Sequence, residues 1–160
     1  MKTQKHALNF KTQRGVYAVE FAIVGGVFFL LLFAVLEVGR LFFVWNVLTE
    51  ASRRGARLAA VCHFDLAAEP SFLDLAVFNG LSLAPQLTGQ NLKVSYLRQN
   101  GSEVTASDNV NDIRLVRAEI INYQHQFLVP GLFLTINSPS FATTLPRESL
   151  GVTRETTTTC

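Results

Sequence analysis

Only two of the 160 residues are cysteine, five are proline and one is tryptophan, and just 16% are charged. Two cysteines exclude a disulfide-dense scaffold. A formal net charge of +2 leaves no broad basic surface of the kind that generic nucleic-acid binding requires, so no nucleic-acid partner is expected. The chain also lacks the short patterns that carry common chemistries: there is no glycine-rich phosphate loop, no Gly-x-Ser-x-Gly elbow and no His-Glu-x-x-His pair. Cys62, His63, Asp65 and Glu69 stand close together, but their spacing fits no recognised zinc pattern. Asp108, Asn109, Asn111 and Asp112 lack the central glycine and terminal glutamate of a calcium loop and read as a solvated turn. No enzyme activity, metal or cofactor is expected.

What the chain does have is apolar surface. Hydrophobic residues make up 49% of it, including 13 Phe crowded toward the N-terminal third, which excludes disorder and points to a membrane segment joined to one small domain. Phe21 to Leu36 is an uncharged run of 16 residues, and it reaches the ~20 residues of a bilayer span only with flanks that contain Glu20 and Glu37. Lys2, Lys5, Lys11 and Arg14 precede it with no acidic residue among them. Such a cluster is retained in the cytoplasm and puts the C-terminal two-thirds outside; Arg53, Arg54 and Arg57 lie beyond the span and oppose this only weakly. A cleaved secretory signal fits less well, because Glu20 interrupts the start of the apolar run and no small-x-small site follows Leu36 before Arg40.

No proline occurs between Met1 and Val61, so one helix is expected from near Tyr17 to about Val61, with Gly25 and Gly26 as its weak point. Beyond the apolar run, Val44, Val47, Leu48, Ala51, Gly55, Leu58 and Cys62 fall on one stripe at steps of three or four, opposite Asn46, Glu50, Arg53, Arg54 and Arg57. Trp45 with Phe42 and Phe43 suits an interfacial aromatic belt. The small residues Gly39, Ala51, Gly55 and Ala59 suit either close helix packing or a covering sheet. Further on, Ser71 is placed to cap a short helix through Phe78 that Asn79 and Gly80 end. Leu92, Val94 and Tyr96 alternate with polar residues before Asn100-Gly101, which predicts a hairpin returning through Val104. Ile113 to Tyr123 and Phe141 to Leu145 are two further strand candidates, separated by a break at Pro130-Gly131. The expected fold is α+β, a long N-terminal membrane-spanning helix whose amphipathic half packs on a small antiparallel sheet. Its expected divisions are a basic leader 1–15, a transmembrane helix 16–41, an amphipathic helix 42–62, an extracytoplasmic α+β domain 63–151 and a Thr-rich tail 152–160.

The segment Arg14-Gly15-Val16-Tyr17-Ala18-Val19-Glu20-Phe21 has a glycine after a basic leader, then four apolar or small residues, then Glu-Phe opening an apolar helix. It resembles the processing site of type IV pilin precursors. Ala18-Val19-Glu20-Phe21-Ala22, Glu37-Val38-Gly39-Arg40-Leu41-Phe42 and Glu50-Ala51-Ser52-Arg53-Arg54-Gly55-Ala56-Arg57 resemble the successive signature stretches of the TadE-like pseudopilins of the tight adherence pilus system. The resemblance covers about the first 62 residues. It implies a pilin-like minor pilin in the bacterial inner membrane, with a cytoplasmic N-terminus and a periplasmic domain. It further implies cutting between Gly15 and Val16 by a prepilin peptidase, and assembly with major pilin, other pseudopilins and an inner-membrane platform, including incorporation into an extracellular pilus. The alternative is a permanently anchored envelope protein whose outer domain binds a partner or senses a ligand.

Residue physics supplies a reason for the motif. A cut at Gly15-Val16 creates an ammonium at Val16, and Glu20 lies one helical turn away on the same face. An unpaired carboxylate near the bilayer centre costs ~2.5 to 3.5 kcal/mol, so a cation from its own or a neighbouring chain is needed, and that pairing would set the stagger between subunits. The bland alternative is an interfacial Glu20 outside a span that begins at Phe21. Glu37 and Arg40 are three apart and are expected to pair at the outer edge of the hydrocarbon, with weight in assembly only if packing desolvates them. Cys62 and Cys160 fall in an oxidising compartment under this topology; intramolecular pairing stands beside free or intermolecular thiols.

Overall fold

A computed structural model describes residues 14–78, 81, 83–105, 109–128 and 134–152. The leader cations Lys2, Lys5 and Lys11, residues Asn79, Gly80, Asp108, Pro130 and Gly131, and the tail through Cys160 lie outside the described residues. The fold is α+β. Helix α1 runs Arg14–Val61, as expected from a segment without proline. The chain divides into two compact units, Met1–Gly39 and Arg40–Cys160.

In the first unit almost every described side chain is exposed, including Phe21, Phe28, Phe29, Leu30, Leu31 and Leu36. A helix this apolar on all sides matches lipid or other apolar helices rather than water. It is long and apolar enough to cross a membrane, and none of the most apolar window is buried by the protein itself.

The second unit is built on the later part of α1. Val44, Val47, Leu48, Ala51, Gly55 and Cys62 of the expected stripe are buried, with Leu58 half-buried, while Asn46, Glu50, Arg53, Arg54 and Arg57 are exposed. This stripe meets a three-stranded antiparallel sheet of β1 (Leu92–Leu97), β2 (Leu115–Ile120) and, last in the chain, Phe141–Pro146, which is labelled β5. β2 is the central strand, in register Val94↔Ala118 with β1 and Ala118↔Thr143 with β5. The period-2 alternation puts Val116, Ala118 and Ile120 against the helix, with Leu92, Val94, Phe141 and Leu145 beside them. Gly55 has its place here: a Cβ on it would lie 3.0 Å from Leu92 Cδ2 and 3.3 Å from the Ala118 Cβ, so its hydrogen lets helix and sheet close together. Ala51 and Ala59 are fully buried in the same layer, so the small residues of this half face the domain core.

Three local expectations change. The short helix α2 (Pro70–Ala76) begins with Pro70 inside its first turn and Glu69 as N-cap, without a side-chain cap from Ser71, because proline at N1 has no N–H to satisfy and its φ is already helical. It ends at Ala76, and Phe78 takes a left-handed φ of 70°. The turn at Asn100-Gly101 forms, with Gly101 at φ 83°, but its return is a single bridge, Leu97↔Glu103, plus a Val104 N–H to Tyr96 carbonyl bond of 2.8 Å. β1 finds its long partner in β2 instead, where Leu92, Val94 and Tyr96 can join the core. A second sheet of β3 (Gln124–Gln126) and β4 (Thr135–Asn137) was not anticipated. Three-residue strands reading Gln-His-Gln and Thr-Ile-Asn carry too little alternation to signal themselves.

Candidate functional site

Gly15 is the second residue of α1, and a Cβ built on it would meet nothing within 4 Å. Val16, Tyr17, Glu20 and Phe21 are all exposed, Val16 at 66% and Phe21 at 79%. Val16 and Glu20, four apart on a regular helix, share one face. The first turn has no acidic residue, although anions are what a helix N-terminus favours. Glycine inside that turn lowers its helix propensity as well.

Glu37 is buried, at 7% exposure, although it stands at the end of a run of lipophilic residues that are exposed. Arg40 is half-buried, and its Nη2 donates to the backbone carbonyl of Gln126, fastening α1 to β3. Next along the helix, Trp45 stacks edge-on against Phe42 at 5.8 Å and packs against Phe141 of β5 at 6.3 Å. It therefore serves the core as well as any belt, whereas Phe42 and Phe43 stay more than half exposed. Thr49 and Ser52 direct their hydroxyls back to the Trp45 and Thr49 carbonyls, and Ser52 Oγ lies 2.9 Å from Thr143 Oγ1, a polar link between helix and sheet. The Arg40 and Ser52 links escape sequence reading because one partner is a main-chain carbonyl and the other a threonine 91 residues away.

At the far end of α1, Cys62 is buried and holds no free thiol. Cys160 lies outside the described residues. The chain returns to this point just before its tail: Leu150 N–H donates to Ala60 O at 3.2 Å and Ser149 Oγ to Val61 O at 3.4 Å. Gly151, at φ 73°, passes so close that a Cβ would lie 2.5 Å from the His63 nitrogen. His63 caps the following turn, its Nδ1 accepting from Asp65 N–H at 3.5 Å. Asn109 does the same for Val110–Asp112, accepting from Asn111 N–H at 3.0 Å.

Beside that end, Phe64, Asp65, Tyr96, Val104, Val110 and Ile113 line a cavity of about 310 Å³. The Tyr96 hydroxyl is buried there without a hydrogen-bond partner among the described residues. Burial, aided by the Asp65 carboxylate, pushes its pKa up to about 12. On the solvent face of the sheet, Ser95 Oγ and Lys93 Nζ donate to Glu103 at 3.0 and 3.3 Å and hold its carboxyl below the usual range.

No curated protein and no solved structure matches the chain. Residues 15–57, from the glycine at the start of α1 to the exposed Arg57, match the model of a family described as TadE-like protein. The long helix of this chain is thus a TadE-like segment, and it marks the chain as a protein related to the tight adherence pilus.

Proposed function

We propose that the chain is a minor pilin, or pseudopilin, of a tight adherence pilus. It is inserted once in the bacterial inner membrane, with its leader in the cytoplasm and its α+β unit in the periplasm. A prepilin peptidase cuts between Gly15 and Val16, and the shortened helix then joins major pilin and other pseudopilins at the assembly platform. No catalysis is assigned to the chain.

The observation that carries this reading is the exposed start of α1, where the TadE-like match begins at residue 15 and the Val16 and Glu20 positions share a face. Cutting converts the Val16 amide into an ammonium one turn from the Glu20 carboxylate. In lipid that pair removes the penalty of an isolated carboxylate, and an exposed carboxylate reaches the ammonium of a neighbouring subunit as readily as its own. Pairing with a neighbour also fixes the axial offset between packed helices, whereas pairing within the chain removes the penalty alone.

Glu20→Ala tests it, because the side chain is exposed and its loss leaves the fold intact. The variant is expected in the inner membrane at the normal level but missing from sheared filaments. Normal incorporation would overturn the assembly role of Glu20.

A further inference from the structure

The cavity of about 310 Å³ beside the end of α1 lies wholly within the second unit, and the proposed pilus role makes no use of it. Its body is apolar: Ile113 is buried, and Phe64, Val104 and Val110 are half-buried around it. The lining residues exposed to solvent are Asp65 and Thr105, so the cavity opens beside a carboxylate and a hydroxyl. An apolar hole of about 150 Å³ already takes benzene, so this volume holds one ring with a short chain attached.

Main-chain bonds fasten the walls. Val104 N–H donates to Tyr96 O at 2.8 Å, and the Leu97↔Glu103 bridge holds the same two segments together. On the Val110 side, Ile113 N–H donates to Val110 O at 3.2 Å, and Arg147 Nη1 donates to the same carbonyl at 3.4 Å. The cavity is therefore formed before anything enters it, as small-molecule sites usually are.

The chemistry inside it is set by two groups. The Tyr96 hydroxyl is buried with no hydrogen-bond partner among the described residues, an arrangement in which phenylalanine would serve the packing better. The charge that acts on this hydroxyl is the Asp65 carboxylate. His63 Nδ1 lies 3.4 Å from Asp65 Oδ2 but accepts the Asp65 N–H, so it brings no proton to the carboxylate from that nitrogen. A ligand atom that meets both groups must donate hydrogen bonds and carry positive charge, whereas an anion there would be repelled by Asp65.

We propose that this cavity binds a small primary amine bearing one apolar ring or branched chain, with its ammonium held by the Asp65 carboxylate and the Tyr96 oxygen and its apolar part against Phe64, Val104, Val110 and Ile113. The site goes beyond the pilus reading and depends on neither the membrane span nor the cut after Gly15.

The test uses full-length protein in phosphatidylcholine nanodiscs and para-fluorophenethylamine as the probe, with binding read as broadening of its fluorine NMR line beyond that given by empty nanodiscs. Broadening is expected to saturate, and to be displaced by excess phenethylamine but not by phenylacetate. Asp65→Asn, a change at an exposed side chain, should weaken binding about tenfold, and Tyr96→Phe about fivefold without loss of thermal stability. Equal displacement by phenylacetate would overturn the cationic ligand. Wild-type affinity in both variants would overturn the site, and broadening no greater than with empty nanodiscs would overturn the binding altogether.

Discussion

Val16 and Glu20 are exposed on one face of α1, and everything proposed for the start of the helix depends on those two positions having opposite charge after cutting. Gly15 offers a clean separation of recognition from folding, since a side chain there meets nothing within 4 Å. Gly15→Val is therefore expected to insert normally and to remain uncut, which a gel shift between strains with and without prepilin peptidase would read. Tyr96 gives a prediction independent of the pilus. Its pKa is raised from 10.0 to about 12 in the folded chain, so the folded state holds its proton after the unfolded state has lost it. The stability tied to that proton is fully present below about pH 10 and is lost as pH rises toward about 12. Tyr96→Phe removes a buried hydroxyl that has no partner among the described residues, so it should leave neutral stability unchanged or raised by about 1 kcal/mol and flatten the alkaline loss, as followed by thermal melts across pH.

Helix α1 was legible because its residues repeat one message over many turns. The all-apolar run and the stripe from Val44 to Cys62 each rest on a dozen or more positions, and a few exceptions do not blur the period. Strands β2 and β5 were legible for the same reason, with β-branched or alternating residues over most of their length. The β3–β4 ribbon was not, since its stability comes from a tether to Arg40 and from burial of His125, neither of which a three-residue pattern encodes. The choice between helix packing and sheet packing for Ala51, Gly55 and Ala59 also needed the fold, because only the register of β1 and β2 brings Leu92 and Ala118 over Gly55. Gly55→Val should cost about 1 to 3 kcal/mol by overpacking that contact, seen as a lower denaturation midpoint with an unchanged slope. Gly151→Ala should cost at least as much, since both its positive φ and the His63 backbone oppose a Cβ.

At the scale of the whole chain, the expectations at the two ends concern residues that are covalently joined or cut. Leu150 and Gly151 return to Ala60 and His63, which bracket buried Cys62, shortly before Cys160 in the sequence. We therefore propose a Cys62–Cys160 bridge, which would close a loop of roughly 100 residues and contribute about 4 to 5 kcal/mol in chain-entropy terms. Thiol labelling of envelope-derived protein should find no reactive cysteine before reduction and two after it; two labelled thiols beforehand would exclude the bridge. The orientation and the pilus assignment meet at the other end, where the leader must be in the cytoplasm to be removed. Mass spectrometry of the N-terminus of the membrane-extracted protein, from cells with an active prepilin peptidase, reads that event directly. The expected chain starts at Val16, with its amine methylated as the pilin resemblance implies; a chain that still carries Met1 to Gly15 would overturn the pilin assignment.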